Sequence, residues 1–194
     1  LIREHLDTFS FRNEYRVDSS LFDHAHRAFR SQVMLREHFR CVPEIIRFSN
    51  TFYGGRLIPL RLVPASDRLT PLKAVYVSDG ASEGRDGRIR NQAEAEAIVT
   101  TIEKLIADEA YAGKTMGVIA LQGRAQAELI SRTLATRLQA SEIEERRIRC
   151  GEPQNFQGDQ RDVMFLSMVA APNQSYTART TADDQRRYNV AMSR

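Results

Sequence analysis

The stretch "YAGKTMGVIALQG", residues 111–123, decides the fold. Its Gly113-Lys114-Thr115 is how a phosphate-binding P-loop ends, so two readings compete. A P-loop needs a further glycine five residues before Gly113, and Asp108 stands there. It also needs a strand before and a helix after, so that the helix amino terminus faces the phosphates. Here the flanks are reversed. Residues 92–108 read as a helix with Ile98, Ile102, Leu105 and Ile106 on one face. The β-branched run "MGVIAL" (116–121) reads as a central strand. The tripeptide is therefore read as a helix-to-strand turn, at the wrong end of a sheet for ligand binding.

Outward from that strand, helices and strands alternate. Ser20 can cap a helix carrying Leu21, Ala25 and Phe29. "QVML" (32–35) and "AVYV" (74–77) read as strands, and Pro43 opens a helix that Gly54-Gly55 ends. A helix carrying Ile130, Leu134 and Leu138 comes after the central strand. "RRIRC" (146–150) and "DVMFLSMV" (162–169) read as further strands, and Gln185 to Ser193 as a last helix. This order predicts an α/β domain, one mostly parallel sheet with helices on both faces. Ligands of such sheets gather at the carboxyl ends of the strands.

Composition narrows the class. The 194 residues are 42% hydrophobic and 27% charged, with a formal net charge of +3. That is ordinary for a globular chain, and mildly basic. Only three lysines occur, so arginine carries most of the positive charge. Arginine suits bidentate phosphate contacts. The two cysteines, Cys41 and Cys150, lie far apart, which speaks against a disulfide framework or structural zinc and fits a reducing cytoplasm. The apolar runs are too short to span a bilayer, so no membrane partner is expected. The first residue is Leu, which leads us to expect a piece of a longer protein.

Three segments exceed what a plain fold requires. They are "LREHFRCVPEIIRFSNTFYGGRL" (35–57), "NFQGDQRDVMFLSMV" (155–169) and "RRYNVAMSR" (186–194). Singly, each has a bland reading: Arg40 as a surface cation, Phe-Gln-Gly as a loop end, the arginine helix as a solvated face. Together and in this order they resemble the second RecA-like domain of superfamily I helicases, in the branch of the nonsense-mediated-decay helicase. The segments are similar to motifs IV, V and VI, and "NQAEAEAIV" (91–99) resembles the helix before the central strand. The resemblance runs from about Ser20 to Arg194.

The resemblance implies half of a site. ATP and Mg2+ would be held mainly by an N-terminal RecA-like domain of the same protein, which carries the P-loop. This chain would supply Arg40 and Arg194 to the γ-phosphate as catalytic residues. Gly158, Gln160 and Arg187 would lie near the ribose and phosphates. Asn50, Tyr53 and Gln126 are the candidates for a track of single-stranded DNA or RNA, although Tyr53 also has a core-packing reading. Phe156 reads as an anchor for its turn. The isolated chain is expected to be a monomer without ATP hydrolase activity. Two departures stand out. Gln160 occupies a position that is usually Glu in the family. Leu121-Gln122-Gly123 replaces a Thr-Pro-Tyr that often precedes the matching Gln126. A catalytically inactive RecA-like binding module is the alternative reading.

Overall fold

The computed structural model describes residues 19–29, 31–64, 69–174 and 181–193. The chain divides after Arg36 into two units. The described part of the first holds helix α1, Leu21–Ala28. Ser20 caps it reciprocally: its Oγ accepts from the Asp23 N–H, and the Asp23 carboxylate accepts from the Ser20 N–H. Two helix-end donors are satisfied in this way.

In the second unit the elements run β1 (Glu37–His38), α2 (Pro43–Phe52), β2 (Ile58–Pro59), β3 (Ser82–Glu83), β4 (Arg90–Asn91) and α3 (Gln92–Ile106). Then come β5 (Met116–Ala120), α4 (Arg124–Arg137), α5 (Ala140–Glu145), β6 (Arg149–Gly151), β7 (Val163–Ser167) and α6 (Ala182–Met192). Strands β6, β5 and β7 form a parallel sheet in that order, Val118 lying opposite both Cys150 and Phe165. β1 pairs with β2 in parallel, and β3 with β4 antiparallel.

Strand β5 explains the layering. All five of its residues are buried, as a central parallel strand demands. Successive side chains point to opposite faces. Met116 and Val118 pack with Ala95, Val99 and Ile102 of α3 and with Ile130 and Leu134 of α4. Ile119 joins Phe156 and Ala191 of α6 in a second cluster. Helices thus cover both faces, and the fold is RecA-like. Each such aliphatic side chain contributes about 1.5–3 kcal/mol on burial.

Two expected strands are absent. Residues 32–35 and 74–77 have no strand pairing, and Val33 and Tyr76 are 90% and 76% exposed. Both runs have β-forming composition, but no neighbouring strand takes up their backbone groups. The first strand stands instead at Glu37–His38. The helix expected at 92–108 ends at Ile106, and the last helix begins earlier, at Ala182, capped by Thr181. Among the described residues no helix is long and apolar enough to cross a membrane.

Candidate active site

Arg40 comes two residues after β1, in a turn fixed by His38, whose Nε2 accepts from the Cys41 N–H at 3.0 Å. Only a neutral imidazole can accept there. Burial, and then the Arg40 charge, lower the His38 pKa below its usual 6.5. Arg61 donates to the Arg40 carbonyl. The Arg40 guanidinium joins the three motifs physically. Its Nε donates to Gln160 Oε1 at 3.1 Å, and its Nη1 to the Ser193 carbonyl at 3.2 Å. Arg194, the next residue, lies outside the described residues. Among the described residues Nη2 of Arg40 has no bond, so one nitrogen of the fork remains for a ligand.

The segment carrying Gln160 leaves the carboxyl end of β6 and passes through a short 3-10 helix, Pro153–Phe156. It then turns at Gly158 towards the start of β7. Gly158 has φ +81°, in the left-handed region that only glycine enters freely. Arg161 closes the turn from inside, and Asp159 Oδ1 accepts from the Gln160 N–H. The hydrogen bond from Arg161 holds the Asp159 carboxyl below its usual 3.8, aided by Arg149.

The Gly113-Lys114-Thr115 turn stands beside this segment, at the amino end of β5. The amides that follow Gly113 are taken by the protein itself. Lys114 N–H donates to the Tyr111 carbonyl, Thr115 N–H to Asp162 Oδ2 at 2.9 Å, and Met116 N–H to the Arg146 carbonyl. Thr115 Oγ1 also donates to Asp162 Oδ2, at 2.7 Å. Burial alone would raise the Asp162 pKa, but the two Thr115 bonds, with the Lys114 and Arg61 charges, outweigh it and lower it. No cradle of free amides is left for a phosphate. One sequence expectation is corrected here. The ligand edge expected at the carboxyl ends of the strands is not where Arg40 bonds: its partner Gln160 is two residues from Asp162, which is bonded to Thr115 of this turn. Gln160 precedes β7, so the Arg40 contact sits on the amino side of the three-stranded sheet, not at its carboxyl edge.

The carboxyl edge is occupied by a clasp. Val169, just beyond β7, has φ +61°, an uncommon and strained conformation for a β-branched residue. The Glu94 carboxylate accepts from the N–H groups of Met168 and Val169 at 2.8 and 2.9 Å. Ser82 donates to the Val169 carbonyl, and Gln122 Nε2 to that of Met168. The Asn173 amide bonds both backbone groups of Ser82. Burial raises the Glu94 pKa, offset in part by the Met168 N–H.

The remaining expected residues hold positions of several kinds. Arg187 on α6 donates to the Leu121 carbonyl at 3.0 Å and lies 3.8 Å from Glu152, tying α6 to the end of β5. Tyr53 accepts from Asn189 on α6 at 3.0 Å, while Phe48 meets Tyr188 edge-on. Asn50 bonds the N–H and carbonyl of Leu57, closing the loop after α2. Gln126 is fully buried and holds both backbone groups of Asn91. Of the residues expected along a nucleic-acid track it is the fully buried one, its amide committed to the backbone inside the fold. Among the described residues no three His, Cys, Asp or Glu side chains converge as a metal site would require.

Two features escaped the sequence reading. Phe39, beside Arg40, is 66% exposed. A cleft of about 670 Å³ runs between the first half of α4 and β6, lined by Arg124, Arg132, Arg149, Glu152 and Asn155 among others. Arg149 lies over the Phe156 ring at 5.6 Å and reaches Asp159 at 3.3 Å, so the cleft adjoins the Gly158 turn. Cys150 on its wall is no nucleophile at neutral pH, since burial pushes its thiol up to about 11.

The parallel sheet with helices on both faces defines a RecA-like domain of the P-loop NTPase type. A family model described as an AAA domain matches residues 17–194. The chain belongs to that family, the C-terminal helicase-like domain of nonsense-mediated-decay-type superfamily I helicases.

Proposed function

We propose that this chain is the arginine half of an ATP-driven superfamily I motor, working with a second RecA-like domain that carries the P-loop. The observation that carries the reading is the Arg40 guanidinium. It bridges Gln160 and Ser193, residues 120 and 153 positions away, and keeps Nη2 for a ligand. That fork suits a polyphosphate oxygen, and the open space over Gly158 leaves room beside it. Bound ATP with Mg2+ supplies the phosphoanhydride whose hydrolysis drives the motor. The chain's own part is positive charge at the equatorial oxygens, from Arg40 and Arg194. Gln160 steadies Arg40 and is within reach of a sugar hydroxyl. Phe39 offers an apolar face to a base.

Single-stranded DNA or RNA is proposed to run along the cleft between α4 and β6, where Arg132 faces its phosphates and Arg124 and Arg149 would exchange their present partners, Glu128 and Asp159, for them. Tyr53, partly exposed at the end of α2, is a secondary candidate. Because the two halves of the site stand on separate domains, closure would depend on nucleotide and reopening on hydrolysis.

The test joins this chain to a P-loop-bearing partner domain in one protein and measures phosphate release with single-stranded DNA or RNA. Turnover should require Arg40. An Arg40→Ala protein that folds and turns over normally would remove the reading. The chain alone should release no phosphate above background.

A further inference from the structure

We infer that Arg161 is a positioning residue: it locks the 159–160 turn so that the Gln160 amide meets the Arg40 guanidinium. The inference rests on the reading of Arg40 as a phosphate ligand. The Arg161 side chain is only 6% exposed, so it faces no ligand itself. Its guanidinium serves three acceptors. Nε donates to the Arg147 carbonyl at 2.9 Å, and Nη1 to the Gln160 carbonyl at 2.7 Å and to Asp159 Oδ1. Asp159 Oδ1 in turn holds the Gln160 N–H at 2.9 Å. Both backbone groups of Gln160 are thus fixed through one buried cation.

Two other elements are fitted to that side chain. Gly117 on β5 leaves space for its stem: a Cβ there would stand 3.1 Å from Arg161 Cγ and 2.7 Å from Met164 Sδ. Arg147, whose carbonyl Arg161 binds, has φ +47°, a conformation uncommon outside glycine. Nothing else packs closely at Gly158, where a Cβ would meet no atom within 4 Å. The turn is therefore free on its outer side and held on its inner side. Lysine at 161 would bring a point charge in place of a planar fork, and could not serve the three acceptors together.

The test reads the Arg40 Nε–H directly, by proton–nitrogen NMR of the 194-residue chain. The signal is assigned by its loss in Arg40→Lys. Gln160→Ala then gives its position without the amide partner. Arg161→Met should move the Arg40 signal to that same position while the rest of the spectrum stays dispersed, and Arg161→Lys should move it part of the way. An unmoved Arg40 signal in Arg161→Met, with a moved one in Gln160→Ala, overturns the inference. So does a signal that Gln160→Ala itself leaves unmoved. If Arg161→Met does not fold, Arg161→Lys decides by the same criterion. In the two-domain protein, misplacement of Arg40 should lower kcat by up to about 10²-fold. Normal turnover in Arg40→Ala together with a shifted signal in Arg161→Met would remove the functional reading and leave the positioning role standing.

Discussion

Two neighbouring turns invite comparison, Gly113–Thr115 and Gly158–Asp162. The first carries the letters of a phosphate loop, and the second does not. Yet the first has given its amides to Tyr111, Asp162 and the Arg146 carbonyl, while the second presents Gln160 to Arg40. They are bonded to each other through Thr115 and Asp162. The difference lies in the element that comes after each glycine. A P-loop glycine leads into a helix whose first amides are free. Gly113 leads into a strand, whose amides are claimed at once by its neighbours. A phosphate signature is thus a statement about unclaimed N–H groups, and the direction of the flanking elements decides whether any exist.

The comparison breaks most sharply at the arginines. In the two-domain protein, Arg40→Ala and Arg194→Ala should each cost roughly 10³ to 10⁵ in turnover, as for other arginine fingers. Lys114→Ala should leave turnover within the same order of magnitude. Phosphate release by the three variants decides, and an inactive Lys114→Ala beside active arginine variants would reverse the roles of the two turns.

Thr115→Val examines the structural turn. It removes the hydroxyl that bonds Asp162 and should lower stability by about 0.5–1.5 kcal/mol at neutral pH, since the pair is exposed to solvent, read as a shift in the urea midpoint. The sign with pH is set by Asp162. Its folded pKa is lowered, so the stabilisation is present above its usual 3.8 and is lost as pH falls through the folded value. The wild type and the variant should draw together there without meeting, because the Asp162 N–H donates to Thr115 Oγ1 whatever the pH. His38 should act higher up the scale. Its folded pKa is also lowered, so the neutral form that holds the Arg40 turn loses stability relative to the unfolded chain as pH drops below 6.5. Turnover by the folded protein should decline only further down, as pH falls through the lowered folded pKa of His38, and a His38→Gln variant should flatten that decline.

Smaller effects are expected at the remaining positions. Gln160→Glu exchanges a neutral partner of Arg40 for a charged one. Hydrogen bonds to charged groups are worth about 1.5–3 kcal/mol against about 0.5–1.5 for neutral ones. ATP affinity should therefore change by no more than roughly tenfold, measured by nucleotide titration of the two-domain protein; a hundredfold change would assign the position another role. Arg149→Ala should remove about one phosphate contact, lessening the slope of log K against log salt by about 0.7 on single strands. An unchanged slope would take the α4–β6 cleft out of the track.

The sequence made the sheet legible where burial and pattern agree. "MGVIAL" is apolar and its strand residues 116–120 are wholly buried. "QVML" and "AVYV" look alike on paper, but composition cannot supply the missing neighbour, and Val33 stays exposed. The ordered motifs pointed to Arg40 and Gln160, and the two do meet. The partners set by distant backbone stayed hidden. Arg161 is one charge among 28 Lys and Arg residues until the Arg147 carbonyl is seen beside it. Gln126 looked available only because its partner, Asn91, is 35 residues earlier.

The Arg40 bridge has a consequence for how the protein is made. Arg40 is synthesised before its acceptors, Gln160 and Ser193, which are added 120 and 153 residues later. At about 5–20 residues per second, the waits are roughly 6 to 24 s for Gln160 and roughly 8 to 30 s for Ser193. Before Gln160 is added the nascent chain can pair β5 with β6 and cover them with α3 and α4, but the Arg40 guanidinium has neither acceptor. A product cut short before α6 would keep much of the scaffold and the Gln160 contact but lose the Ser193 one, so the completed bridge reports that translation has passed α6.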